Sequence, residues 1–285
     1  MRFIENENIH KPKHMRARIQ KRIASEVKQA EKLGDKLRTS DRINSEVLHE
    51  FRISLRKIQA SARILHQVDG RAQVHSTLIR VKNLLKATGL LRAEHTLPKV
   101  FSSKRQKSDS HSLIRVRRPV LLALETRLNS NLEKYLPHNF GGSIRHQILE
   151  PLAEVGNMKF RRRTEGLIER DCKRLRSMTV KLKNQKAGVK FYHKLRIRAK
   201  KLGYVLEILE PELKPHVRKI SHLIKKNQKV FGRLHDLDSV IKMLRGSRSH
   251  LKVSDRRTLS KQLKHERPGL LKKALAEGNK LTKKL

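Results

Sequence analysis

Apolar residues recur along most of the chain at the spacing of one helical face. This pattern predicts amphipathic helices over about 14–33, 41–67, 72–94, 112–135, 162–183, 188–210, 215–245 and 254–284. Breaks fall where glycine, proline and serine collect. These are Gly70, the stretch Pro98 to Ser112, Pro137 to Gly142, Pro211 to Pro215, and Gly246 to Ser249. No run alternates with the period of a strand. The expected fold class is therefore all-α.

The break near Pro137–Gly142 divides the chain, and the two sides repeat one another. Val47 to Leu65 reads VLHEFRISLRKIQASARIL, and Phe191 to Leu209 reads FYHKLRIRAKKLGYVLEIL. Aligned without a gap, His49 meets His193, Arg52 meets Arg196, Ile53 meets Ile197, and Arg56-Lys57 meets Lys200-Lys201. The apolar positions Val47, Phe51, Leu55, Ile58, Ala62 and Leu65 correspond to Phe191, Leu195, Ala199, Leu202, Leu206 and Leu209. Each set makes one core-facing stripe at about 100° per residue, and each His-Arg-Arg/Lys trio lies within roughly 60° on another face. The following helix repeats too, with Lys82, Lys86, Gly89 and Arg92 matching Lys225, Lys229, Gly232 and His235. Lysines four apart share a face, so these four form lower-ranked candidates for the same site. Gly89 and Gly232 are expected where helices pack closely or end. Duplicated helical units are expected to pair about a pseudo-twofold axis, bringing two basic faces into one cleft.

Charge turns these faces into a functional statement. The chain has 285 residues, with 69 Lys and Arg against 26 Asp and Glu, a formal net charge of +43. Such an excess repels itself unless a polyanion or counterions relieve it. Nucleic acid, an acidic membrane surface and polyphosphate are the candidate partners. Aromatic residues make up only 4%, with no Trp, which argues against base stacking as the means of grip. The single Cys172 leaves no intramolecular disulfide or Cys-rich zinc site and fits a reducing compartment. No stretch reads as a signal peptide or a membrane span. The expectation is a soluble cytoplasmic protein.

The doubled pattern H-x-x-R-[IV]-x-x-[RK]-[RK] in a basic helical chain resembles the CHAD family, the conserved histidine α-helical domain. The second copy, from His193 to Glu207, is the closer match, and the stretch from Leu223 to Asp238 resembles that family's following helix. The resemblance spans about 14–245, with repeats at about 14–137 and 158–245 and a basic helical extension over 246–285. Two helical bundles around a basic cleft or pore are what the resemblance implies, with inorganic polyphosphate as ligand. By position, the binding residues would be His49, Arg52, Arg56, Lys57, His193, Arg196, Lys200, Lys201 and Tyr204. The chain departs from the family in three places. Gly203 and Gln59 replace an Arg, Ala93 precedes Glu94 where an acidic residue is usual, and Ala60 stands opposite Tyr204. The resemblance also suggests polyphosphate granules as the place of action.

The chemistry of the residue types leads to the same ligand class. Polyphosphate needs dense positive charge and repeated donors, with no base edges to read. Arg offers a forked donor and Lys a point charge. A metal at the histidines is disfavoured because their neighbours are cations. No cofactor is expected. Phosphoryl transfer needs carboxylates for Mg²⁺, and none clusters near either motif; the pair Glu5 and Glu7 lacks the Lys two positions on that tunnel-type triphosphatases would show. Asp236 is expected to pair with an Arg or to open a new helix. Binding without catalysis is thus the expected function. The alternatives are a nucleic-acid-binding protein, whose nonspecific affinity at low salt follows from charge alone, and an enzyme acting on polyphosphate. The segment Leu251 to Leu285 is rich in Lys and Arg, and its leucines at 259, 263, 270, 271 and 275 suggest a helix pair.

Overall fold

The computed structural model describes residues 3–4, 15–70, 74–101, 113, 115–184, 189–245 and 252–285. Much of the predicted break from Pro98 to Ser112, all of Gly246 to Ser249, and the pair Glu5 and Glu7 lie outside the described residues. The described chain is helical, with one isolated antiparallel bridge between Ile4 and Leu213. Its helices are α1 (Met15–Arg38), α2 (Ser45–Val68), α3 (His75–Val100), α4 (Arg118–Tyr135), α5 (Phe140–Ile144), α6 (Glu150–Glu154), α7 (Asn157–Asn184), α8 (Val189–Leu209), α9 (Pro215–Arg245) and α10 (Val253–Thr282).

The predicted stripes are the buried ones. Phe51, Leu55, Ile58, Ala62 and Leu65 of α2 are buried, as are Leu195, Ala199, Leu202, Leu206 and Leu209 of α8. Val47 and Phe191, at the head of each stripe, are half-buried. Asn44 starts α2 by accepting hydrogen bonds from the backbone N–H groups of Glu46 (2.8 Å) and Val47 (3.3 Å), which satisfies two donors the helix itself cannot.

The two halves pack in the same order. α1 lies on α2, α2 on α3 and α3 on α4; likewise α7 lies on α8, α8 on α9 and α9 on α10. α2 packs on α8 and α3 on α9, so equivalent helices meet across the middle. One core cluster runs through both halves, from Ile19 and Phe51 to Leu206 and Phe231. A second, smaller cluster joins Leu97, Phe101 and Leu113 to Leu237, Ile241 and Leu244 of α9 and to Leu259 and Leu263 of α10.

Three stretches differ from the sequence reading. α3 runs through Pro98 to Val100, because Leu97 and Phe101 are buried in the smaller cluster and hold the helix past the proline. The last segment is one helix with Pro268 inside it, where a pair was expected. Burial of Leu259 and Leu263 before the proline, and of Ala274 and Leu281 after it, anchors both sides. The region after Pro137 forms α5, a π-helical turn over Arg145–Leu149, and α6. Its stripe of Phe140, Ile144, Ile148 and Leu152 is buried. Pro151 has no N–H to give to Gln147, and just before it the Glu150 N–H reaches back five residues to the Arg145 carbonyl.

Candidate functional site

A cavity of about 640 Å³ opens between α2, α3, α8 and α9. His49, Arg52 and Arg56 of α2 line it together with Arg196, Lys200 and Tyr204 of α8. α3 adds Gly89, Arg92 and Glu94, and α9 adds Gln228, Lys229, Gly232, Arg233, His235 and Asp236; Arg117 completes the rim. Eight of these are Arg or Lys and two are acidic, so the cavity is strongly cationic. A second cavity of about 470 Å³ adjoins it, lined by Gln59, Ala60, Arg63, His193, Ile197 and Lys201 among others. Arg56, Arg196, Lys200 and Tyr204 line both.

The repeated motif residues therefore converge, with some dispersion. Arg52, Arg56, Arg196, Lys200 and Tyr204 come together at the meeting of α2 and α8. His49 opens into the first cavity and His193 into the second. Lys201 also lies in the second. Lys57 lines neither of these two cavities; its Nζ sits 2.6 Å from Glu26 Oε1 of α1. Lys82 and Lys86 are exposed and line neither. Lys225 lies 3.4 Å from Glu207 outside both, and only Lys229 of the four lysines reaches the first cavity.

The cations are held tightly enough to perturb one another. The Arg52 guanidinium donates to the Leu85 carbonyl (2.8 Å) and to Thr88 Oγ1. Burial, then Arg56 and Arg92, push its pKa down to about 10. Burial, then Arg196, Arg56 and Arg52, push the Lys200 ammonium down to about 7, with Asp236 opposing. Arg196 is also lowered, chiefly by burial, while Asp236 counteracts. Asp236 is itself raised by burial against the pull of Arg196, Lys200 and Arg92. Cations this close in a low-dielectric pocket destabilise each other's charge, and an anion placed among them reverses the effect. Two of their buried nitrogens, Arg92 Nη1 and Arg196 Nε, have no hydrogen-bond partner.

His193 lies against His235 with the rings tilted by 39°, their centroids 4.7 Å apart and their Nδ1 atoms at 3.4 Å. Burial, followed by Arg196, His193 and Lys200, pushes His235 down to about 4, so that ring is neutral at neutral pH. Asp236 lies inside α9 rather than opening a helix. Glu94, one place beyond the family's acidic position, pairs with Arg117 through two bonds of 2.6 and 2.7 Å. A larger residue at Gly203 would require the Gln228 side chain to move, and its Cβ would lie 3.2 Å from Ile224 Cγ2. Gln228, on α9, donates to the Ala199 carbonyl at 3.1 Å and lines the first cavity.

Gly89 and Gly232 differ from expectation. Both lie inside helices and border the first cavity instead of a close helix contact. Arg92, Arg117, Arg233, Gln228 and His235 are cavity residues that the motif did not single out. Arg92 and His235 had a usable signal, since they end the matched Gly-x-x-Arg and Gly-x-x-His. Arg117 and Arg233 had none short of the packing itself. Among the described residues, no group of His, Cys, Asp and Glu could hold a metal ion, and no helix is long and apolar enough to cross a membrane.

No curated protein matches the sequence. The crystal structure of the CHAD domain from the plant Ricinus communis is similar in fold, with a TM-score of 0.73 and 14% identity, covering 93% of this chain and 91% of that one. The family model for the CHAD domain matches residues 21–245, most of the chain, and with the doubled helical motif at the centre of the fold it makes this protein a member of the CHAD family.

Proposed function

We propose that this CHAD domain binds inorganic polyphosphate in the cavity between its halves and leaves the chain chemically unchanged. The observation that carries the reading is the meeting of Arg52, Arg56, Arg92, Arg196 and Lys200, drawn from both halves, in one recessed space. A structure that assembles mutually repelling cations stores unfavourable electrostatic energy, which a polyanion releases on binding. A pseudo-twofold axis would pass between α2 and α8, and a phosphate chain crossing from one cavity to the other would meet Arg56, Arg196, Lys200 and Tyr204 midway. Residues 246–285 would then be an addition to a domain made of two repeats. Polyphosphate granules are the matching place of action in the cell.

The recess favours a thin, flexible chain. Duplex phosphates sit on a rigid cylinder about 20 Å wide and would not reach Lys200 or Arg52 at depth. Single strands rely on aromatic platforms, and among the described residues Tyr204 is the one Phe, Tyr or Trp ring lining either cavity. The two acids of the first cavity also stand among cations, where they would counter Arg and Lys rather than gather Mg²⁺.

Competition at physiological salt between long polyphosphate and single-stranded or duplex nucleic acid tests the reading. Polyphosphate is expected to displace both, and orthophosphate to compete poorly. Nucleic acid that resists displacement would favour the nucleic-acid alternative, and release of orthophosphate from pure polyphosphate would favour an enzyme.

A further inference from the structure

Gly89 and Gly232 occupy matching places in the two repeats, each in the middle of a long helix. Glycine weakens a helix interior relative to alanine, so two such positions need a cause. Backbone conformation supplies none, since neither has a positive φ. Close helix packing supplies none either. A Cβ at Gly232 would meet nothing within 4 Å, and one at Gly89 would meet only Arg52 Nη1, at 3.9 Å. The packing contrast is Gly203, where a Cβ would collide with Gln228. Gly89 and Gly232 instead border the cavity from opposite halves, beside Arg52 and Arg92 and beside His235 and Asp236.

We infer that the two glycines form a side-chain-free lane along which the bound phosphate chain runs against the bare backbone of α3 and α9. This deepens the polyphosphate reading by assigning the ligand's path and its steric limit. The lane adds no hydrogen bonds, because the helix amides there are already used within their helices. Its contribution is width. A flexible chain of hydrated tetrahedral phosphates then reaches the guanidinium groups without displacing a side chain. The glycines therefore admit that chain along its whole path and exchange helix stability for access.

Substitution separates the lane from charge, since net charge stays at +43. Gly232→Leu and Gly89→Ala are expected to fold with Tm at or above that of the wild type, and to weaken binding of long polyphosphate by about tenfold. Gly269→Ala is the control. It lies inside α10 with nothing within 4 Å of its Cβ and lines neither cavity; Tm should rise by about 2–4 °C with affinity unchanged. Folded Gly232→Leu that binds within about twofold of the wild type would overturn the lane. Should Gly232→Leu fail to fold, Gly232→Ala carries the test, with a higher Tm and an affinity at least about threefold weaker expected, and an unchanged affinity overturning it. If the wild type binds and the glycine variants bind equally well, only the lane falls. If the wild type itself does not bind polyphosphate, the functional reading falls and the lane with it.

Discussion

The first and second halves present the same motif on the same scaffold, yet they carry charge differently. α2 and α3 bring Arg52, Arg56 and Arg92 to the cavity. At the matching positions, α8 and α9 bring Arg196, Lys200 and His235, with Asp236 where the first half has Ala93. The first set consists of guanidinium groups, which stay charged across the physiological range. The second contains a lysine lowered to about 7 and a histidine lowered to about 4. Matched positions in the two halves thus line one cavity, while the charge on the second half's side responds to its surroundings. Burial is the largest cause at Lys200, followed by crowding from Arg196, Arg56 and Arg52.

The largest effect should come from removing one cation of each half at the shared wall. Arg56→Gln with Lys200→Gln is expected to weaken polyphosphate binding by about 100-fold or more, since each lost charged hydrogen bond contributes about 1.5–3 kcal/mol. Lys283→Gln with Lys284→Gln removes the same formal charge from the end of the chain and should change affinity by less than about threefold. Equal losses would mean that bulk charge does the binding and that the comparison between halves has no functional content.

A smaller effect distinguishes the halves by pH. Lys200 faces Arg196 on its own helix, Arg52 and Arg56 on α2, and Asp236 on α9. Bound phosphate raises its pKa, so binding takes up a proton. Affinity should therefore rise, by about tenfold, as pH falls from about 9 to about 7, and level off below 7. Lys200→Arg should flatten the profile, while His49→Gln with His193→Gln should leave it. A profile unchanged in Lys200→Arg would remove the adjustable role from the second half.

A further effect is on stability without ligand. Lys200 has a folded pKa of about 7, below its ordinary value of 10.5. Between those values the unfolded chain holds the proton and the folded chain does not. Stability from this group is accordingly full above about 10.5 and lost as pH falls toward 7. Thermal unfolding of the wild type and of Lys200→Met across pH 7 to 10 checks this. The variant's Tm advantage should be largest near pH 7 and shrink as pH rises, and an advantage independent of pH would contradict it.

Much of this comparison was legible in the sequence. The gapless match of His49, Arg52 and Arg56 to His193, Arg196 and Lys200 located the central residues, because helical period alone puts them on one face. Period does not tell which neighbour covers a face. Lys57 belongs to the motif yet turns to Glu26 on α1, and Lys82 and Lys86 share a helix face that looks to solvent. Arg117 and Arg233 reach the cavity only because α3, α4 and α9 pack as they do. The same limit hid the uninterrupted α10. Pro268 signals a break locally, while the leucines on either side of it are fixed by contacts distant in sequence.

The most direct measurement is a crystal structure of the protein with a long polyphosphate chain bound. The chain should lie in the cavity between α2, α3, α8 and α9, within hydrogen-bond distance of Arg52, Arg56, Arg92, Arg196 and Lys200, with contacts from both halves. A chain lying on an outer face, such as the exposed cations of α7 or α10, with that cavity free of phosphate, would contradict the account.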